Sequence, residues 1–90
     1  MNIQQLESFI QVAEHLNFAR ASEALNVTQS AVSRQIHTLE EELNTKLFYR
    51  TTRTVSLTPD GSIFLEHAKQ ILGQLKVATA KIQHHTNARV

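Results

Sequence analysis

The sequence predicts a mainly α-helical domain: three packed helices, a short two-stranded β hairpin and a long final helix. Three observations carry that reading. Hydrophobic residues fill 41% of the 90 positions, with only two Gly and one Pro, a composition suited to a compact helical globule. Apolar residues recur at helical spacing in four separate segments. Between Lys46 and Leu57 the run K-L-F-Y-R-T-T-R-T-V-S-L breaks that period with β-branched and aromatic residues around a polar tip.

The first helix is expected from Ile3 to Leu16, with Leu6, Phe9, Ile10, Ala13 and Leu16 on one face. Asn2 is placed to cap it, and Gln5 to return the bond in a capping box. Asn17 then caps a short second helix, Phe18 to Leu25, whose inner face is Phe18, Ala21 and Leu25. Ala19, Ala21 and Ala24 are small and let neighbouring helices approach. Asn26 is suited to the left-handed conformation that ends a helix. Thr28 caps the third helix, with Val27 and Val32 at the two positions of a hydrophobic staple.

The third helix, Gln29 to Leu43, has two faces with different jobs. Val32, Ile36, Leu39 and Leu43 form an apolar stripe, while Gln29, Ser30, Ser33, Arg34 and His37 lie opposite. Two short strands follow, turning around Thr51 to Thr54, and Arg53 at the tip is expected to project outward. Thr58-Pro59-Asp60 is a strong helix start: a capping hydroxyl, Pro at the first helical position, then an acid at the positive end of the dipole. The last helix is expected to reach about His84. Phe64, Ala68, Ile71, Leu75, Ala78 and Ile82 follow the heptad spacing of a helix that packs on another helix, while Leu65 and Leu72 widen the stripe towards the body of the domain. A helix this long exceeds what so small a core can cover, so pairing with a second copy through those six residues is expected. Gly73 interrupts it at a propensity cost of about 1 kcal/mol, and Gly61 reads as a close-packing position rather than a hinge.

Charge is divided along the chain. Residues 1–45 hold two bases and six acids, whereas residues 46–90 hold seven bases and two acids. Lys46, Arg50 and Arg53 fall within eight positions with no acid among them. No Cys is present, so neither a disulfide nor a thiolate metal site is available. No apolar run approaches the roughly 20 residues that span a bilayer, and the start M-N-I-Q-Q-L-E lacks the basic opening of a signal peptide. A cytoplasmic location without membrane contact is expected, with no cofactor and no metal. His84-His85 point apart on a helix and read as surface. Glu40, Glu41 and Glu42 read as a solvated face, with Glu42 placed to pair with Lys46.

A helix that is greasy inside and lined outside with small and hydrogen-bonding groups fits the major groove of B-DNA. On that reading Gln29, Ser30, Ser33 and Arg34 contact base edges, with Arg34 able to donate twice to guanine and Gln29 able to bracket adenine. Arg53 enters the minor groove. Asn17 and Thr28, at helix starts, and His37, Lys46 and Arg50 contact phosphates. Loss of one such phosphate contact is expected to shallow the salt dependence by about 0.9.

Two other readings remain beside it. An enzyme would need a cleft and a constellation of groups; Ser30, Ser33 and His37 resemble a nucleophile and base only on a convex face that excludes no water. A helical module that binds protein rather than DNA would keep the same core and leave Arg34 and Arg53 dispensable for DNA.

The runs L-E-S-F-I-Q-V-A-E, N-F-A-R-A-S-E-A-L-N-V-T-Q-S-A-V-S-R-Q-I-H-T-L-E-E-E-L and K-L-F-Y-R-T-T-R-T-V-S-L-T-P-D-G together closely resemble the N-terminal domain of the LysR-type transcriptional regulators, across residues 2 to 65 without a gap. The resemblance implies a winged helix-turn-helix at residues 1–58, with three core helices, a short two-stranded wing and the motif at about residues 18–37. A linker helix at 59–90 would join two chains on an imperfect inverted repeat. It also implies a larger C-terminal domain that binds a small-molecule inducer, which is expected to lie outside a chain ending at Val90. The chain departs from the family pattern at Ser30, where proline is frequent, and at Asn44-Thr45, where glycine is usual.

Overall fold

A computed structural model describes residues 1–88, with side chains to residue 85. The elements run α1 (Ile3–His15), α2 (Phe18–Leu25), α3 (Gln29–Leu43), β1 (Phe48–Arg50), β2 (Val55–Leu57) and α4 (Pro59–Ala88). Each helix starts where the polar caps stand. The Gln5 amide donates to Asn2 Oδ1 at 2.8 Å and the Asn2 amide to Gln5 Oε1 at 3.1 Å, completing the capping box. Asn17 Oδ1 accepts from the Arg20 amide, and Thr28 Oγ1 from the Ala31 amide.

The first three helices end on residues in the left-handed conformation, at φ values of 50° for Leu16, 57° for Asn26 and 53° for Asn44. After α2 the Asn26 and Val27 amides donate to Glu23 and Ser22; after α3 the Asn44 and Thr45 amides donate to Glu41 and Glu40. Both are Schellman ends, and Asn supplies the conformation that glycine usually provides. The first helix stops one residue earlier than expected. Leu16, expected on its core face, is exposed, because the left-handed turn takes its side chain out of helical register. Val27 is also exposed, so it is a weak half of the staple expected with Val32.

The core lies between α1, α2 and α3 and is closed by the hairpin and the first half of α4. Phe9, Val12, Val32, Ile36, Leu39 and Leu47 are its largest fully enclosed side chains. The Phe9 ring stands 5.3 Å from Phe48 and 5.2 Å from Phe64, tying α1 to both the hairpin and α4. β1 and β2 pair antiparallel, with Phe48 opposite Leu57 and Arg50 opposite Val55. The two-stranded ribbon turns through residues 51–54, where the Thr51 amide donates to the Thr54 carbonyl at 2.9 Å.

Helix α4 begins as its sequence signals. The Gly61 amide donates to Thr58 Oγ1 at 2.9 Å, and that hydroxyl donates to the Lys46 carbonyl at 2.7 Å. The helix extends past the expected end near His84 and gives the molecule its 54 Å long axis. Glu14 and Lys69 bridge α1 to α4 at 3.1 Å. Among the described residues, no helix is long and apolar enough to cross a membrane.

Candidate nucleic-acid interface

Helix α3 keeps its two faces apart. Val32, Ile36 and Leu39 are fully buried, whereas Gln29, Ser30, Arg34 and His37 are exposed and Ser33 is half-buried. That division follows from the 3.6-residue period, which sends one side of the helix into the core and leaves the other to solvent. His37 also lies 3.4 Å from Glu41, one turn along.

Beside the later part of this face runs a groove lined by Ser33, Arg34, His37, Lys46, Tyr49 and Arg50, with buried Glu40 and Phe48 beneath. The fold thus brings together five of the residues expected to meet DNA. The others stand apart: Gln29 and Ser30 at the start of α3, Thr28 just before it, Asn17 at the start of α2, and Arg53 exposed at the hairpin tip. Asn17 Oδ1 and Thr28 Oγ1 are occupied as cap acceptors, which leaves the Asn17 side-chain N–H groups, the Thr28 hydroxyl proton and the backbone amides of the first turn as donors to a phosphate.

Two expectations about charge need correction. Glu40 is not part of a solvated face: its side chain is 4% exposed. Its Oε2 accepts from the Leu47 amide at 2.8 Å and the Phe48 amide at 3.4 Å, anchoring the entry to β1 on α3. Glu42 does not pair with Lys46, because α3 ends at Leu43 and the left-handed Asn44 breaks the i,i+4 relation; Glu42 binds the N-terminal ammonium instead. Lys46 Nζ lies 4.0 Å from Glu40 Oε1, on the side where the chain turns. Arg50 is held from within the fold as well. Its Nη2 is 3.6 Å from Glu40 Oε1, and its guanidinium lies 4.4 Å over the Phe18 ring.

Tyr49 also lines the groove and was not among the expected residues. It is 59% exposed and faces the groove from β1, on the opposite side of the strand from buried Phe48. Strand alternation, which sends neighbours to opposite faces, is the signal that finds it.

The six heptad residues of α4 divide into two sets. Ala68 is fully buried and belongs to the chain's own core, and Phe64, half-buried, packs its inner side on Phe9. The physical reason is position: the first half of α4 lies on α1, and its apolar stripe is used there. Ile71, Leu75 and Ile82 remain 47%, 45% and 66% exposed, and Ala78 is exposed with them. Among the described residues, no group of three or more His, Cys, Asp or Glu is arranged to hold a metal ion.

Residues 3–62 match the family model described as bacterial regulatory helix-turn-helix protein, lysR family. A probable cat1 operon transcriptional activator from Acinetobacter lwoffii is 42% identical over 88 residues, covering 94% of this chain and 29% of that protein. The glycine cleavage system transcriptional activator of Escherichia coli K12 is 47% identical over 78 residues, covering 87% of this chain and 26% of that one. The chain therefore spans under a third of the length of these curated relatives. Among solved structures, the CbnR DBD–DNA complex superposes with a TM-score of 0.90 at 36% identity, covering 96% of this chain and 99% of that chain. Sequence match and architecture agree, and the chain belongs to the lysR family of bacterial regulatory helix-turn-helix proteins.

Proposed function

We propose that this chain binds double-stranded DNA in a sequence-specific manner and supplies the DNA-reading end of a transcriptional regulator. Helix α3 enters the major groove, where Gln29, Ser30, Ser33 and Arg34 meet base edges. Arg53 at the wing tip reaches the minor groove, and Lys46, Arg50, His37 and the helix starts at Asn17 and Thr28 meet phosphates. Two chains pair through the exposed part of α4, around Ile71, Leu75, Ala78 and Ile82, on an imperfect inverted repeat. A further, C-terminal part of the whole protein binds a small-molecule inducer.

The observation that carries this reading is the division of α3: an outward polar face of exposed Gln29, Ser30, Arg34 and His37, over an interior face of fully buried Val32, Ile36 and Leu39. A regulatory, non-catalytic role is supported by relatives named as transcriptional activators, and the major-groove placement by similarity to a DBD–DNA complex. Base contacts must carry much of the affinity, since the basic side chains at the groove are few.

Selection of bound duplexes from a random pool tests the proposal. The expected result is enrichment of one short half-site, present twice in inverted order. A pool that emerges without a common sequence would remove the sequence-specific reading, and a single half-site without its inverted mate would remove the paired arrangement.

A further inference from the structure

We propose that Glu40 limits the DNA affinity of this interface from beneath it, as a built-in competitor of phosphate for Lys46 and Arg50. The inference rests on the DNA-binding reading above and adds a residue that touches no DNA. Glu40 is the one buried acid among the described residues. Its two oxygens divide their work. Oε2 takes the amides of Leu47 and Phe48, while Oε1 faces Arg50 at 3.6 Å and Lys46 at 4.0 Å.

Those last two distances exceed hydrogen-bond range, so the link is Coulombic and orients neither side chain tightly. Burial keeps salt from screening the carboxylate as it screens a surface acid. The two cations and one anion together present a charge of +1 to the groove, not +2. Arg34 and Arg53 make no ion pair among the described residues. The fold therefore discounts most strongly the two cations expected to meet phosphate, which are the ones paired with Glu40. Phosphate contacts carry no sequence information, so the discount lowers overall affinity without changing which bases are preferred.

The test is Glu40→Gln in this chain, which keeps an acceptor for the Leu47 amide and removes the charge. Affinity is measured across salt concentrations for the duplex recovered by selection and for a scrambled duplex of equal length. Both affinities are expected to rise about fivefold at low salt, with the salt dependence steeper by up to about 0.9 and their ratio unchanged. In an Arg50→Gln background the gain from Glu40→Gln is expected to shrink, because part of the competition has been removed. A purely structural role would show as a lower melting temperature with affinity equal to or below that of the parent, and that outcome overturns the proposal.

Should Glu40→Gln fail to fold, Arg50→Gln alone decides. A cation already discounted shallows the salt dependence by clearly less than the roughly 0.9 of a free phosphate contact, and a full 0.9 overturns the proposal. If the parent chain binds no duplex selectively, the functional reading falls and takes this inference with it. If the parent binds and Glu40→Gln is no tighter, only the role of Glu40 falls.

Discussion

A β-carbon placed on Gly61 would lie 2.1 Å from the carbonyl oxygen of Leu47 and 3.0 Å from its carbonyl carbon. The start of α4 is pressed this close to the entry of β1 because Thr58 holds both sides: its amide donates to Leu47 and its hydroxyl to Lys46. The obstacle is backbone, which cannot rotate away as a side chain can. Gly61→Ala is expected to destabilise the fold by about 3 kcal/mol. Urea unfolding followed by circular dichroism checks it; a loss below about 1 kcal/mol would mean that the junction between hairpin and helix yields.

Gly73 stands in the opposite situation, with nothing within 4 Å of its built β-carbon. Gly73→Ala removes backbone freedom from the unfolded chain and meets no clash in the folded one. A stability gain of about 1 kcal/mol is expected in the same urea experiment.

Arg34 is exposed on the outward face of α3 and makes no ion pair among the described residues. Arg34→Ala is expected to leave folding within about 0.5 kcal/mol of the parent, as for other exposed positions. Discrimination against a changed base in the selected duplex should fall by roughly 1–3 kcal/mol at one position of each half-site. Competition between the selected duplex and its single-base variants measures this, and unchanged discrimination at every position removes Arg34 from the base-reading set.

Ile82 is the most exposed of the large apolar side chains on the outer part of α4 among the described residues, at 66%. Ile82→Glu is expected to shift the chain towards monomer in sedimentation equilibrium, with monomer stability unchanged. Ala68→Glu, at a fully buried site, is expected to unfold the domain instead. A chain that sediments as the same dimer with Glu at position 82 would place the pairing surface elsewhere.

The helix limits were legible because their signals are local. Asn2 with Gln5, Asn17, Thr28 and Thr58 each stand where a first turn needs an acceptor, and Asn26 stands where a left-handed residue is needed; Asn44 plays the same part after α3 and was not singled out for it. The outward face of α3 was legible for a similar reason, since half a helical turn separates it from Val32, Ile36 and Leu39. What was not legible depended on which surface a side chain meets. In the run Glu40-Glu41-Glu42 the residue types are identical, and only Glu40 continues the buried row of Ile36, one turn on, towards the amides of β1. A heptad spacing likewise says that Phe64 and Ala68 need an apolar neighbour. It does not say whether that neighbour is α1 of the same chain or a helix of another. Leu16 was misplaced because a leucine gives no sign of accepting a left-handed turn.

The exposed run of α4 beyond Gly73 is continuous with the part seated on α1, so its side chains keep a fixed rotational phase relative to the body. One extra residue inserted there would swing Ile82 by about 100° around the helix axis, while four would return it to within about 40°. Length changes in this rod are therefore not interchangeable: what it presents, and in which direction, is quantised by the helical turn.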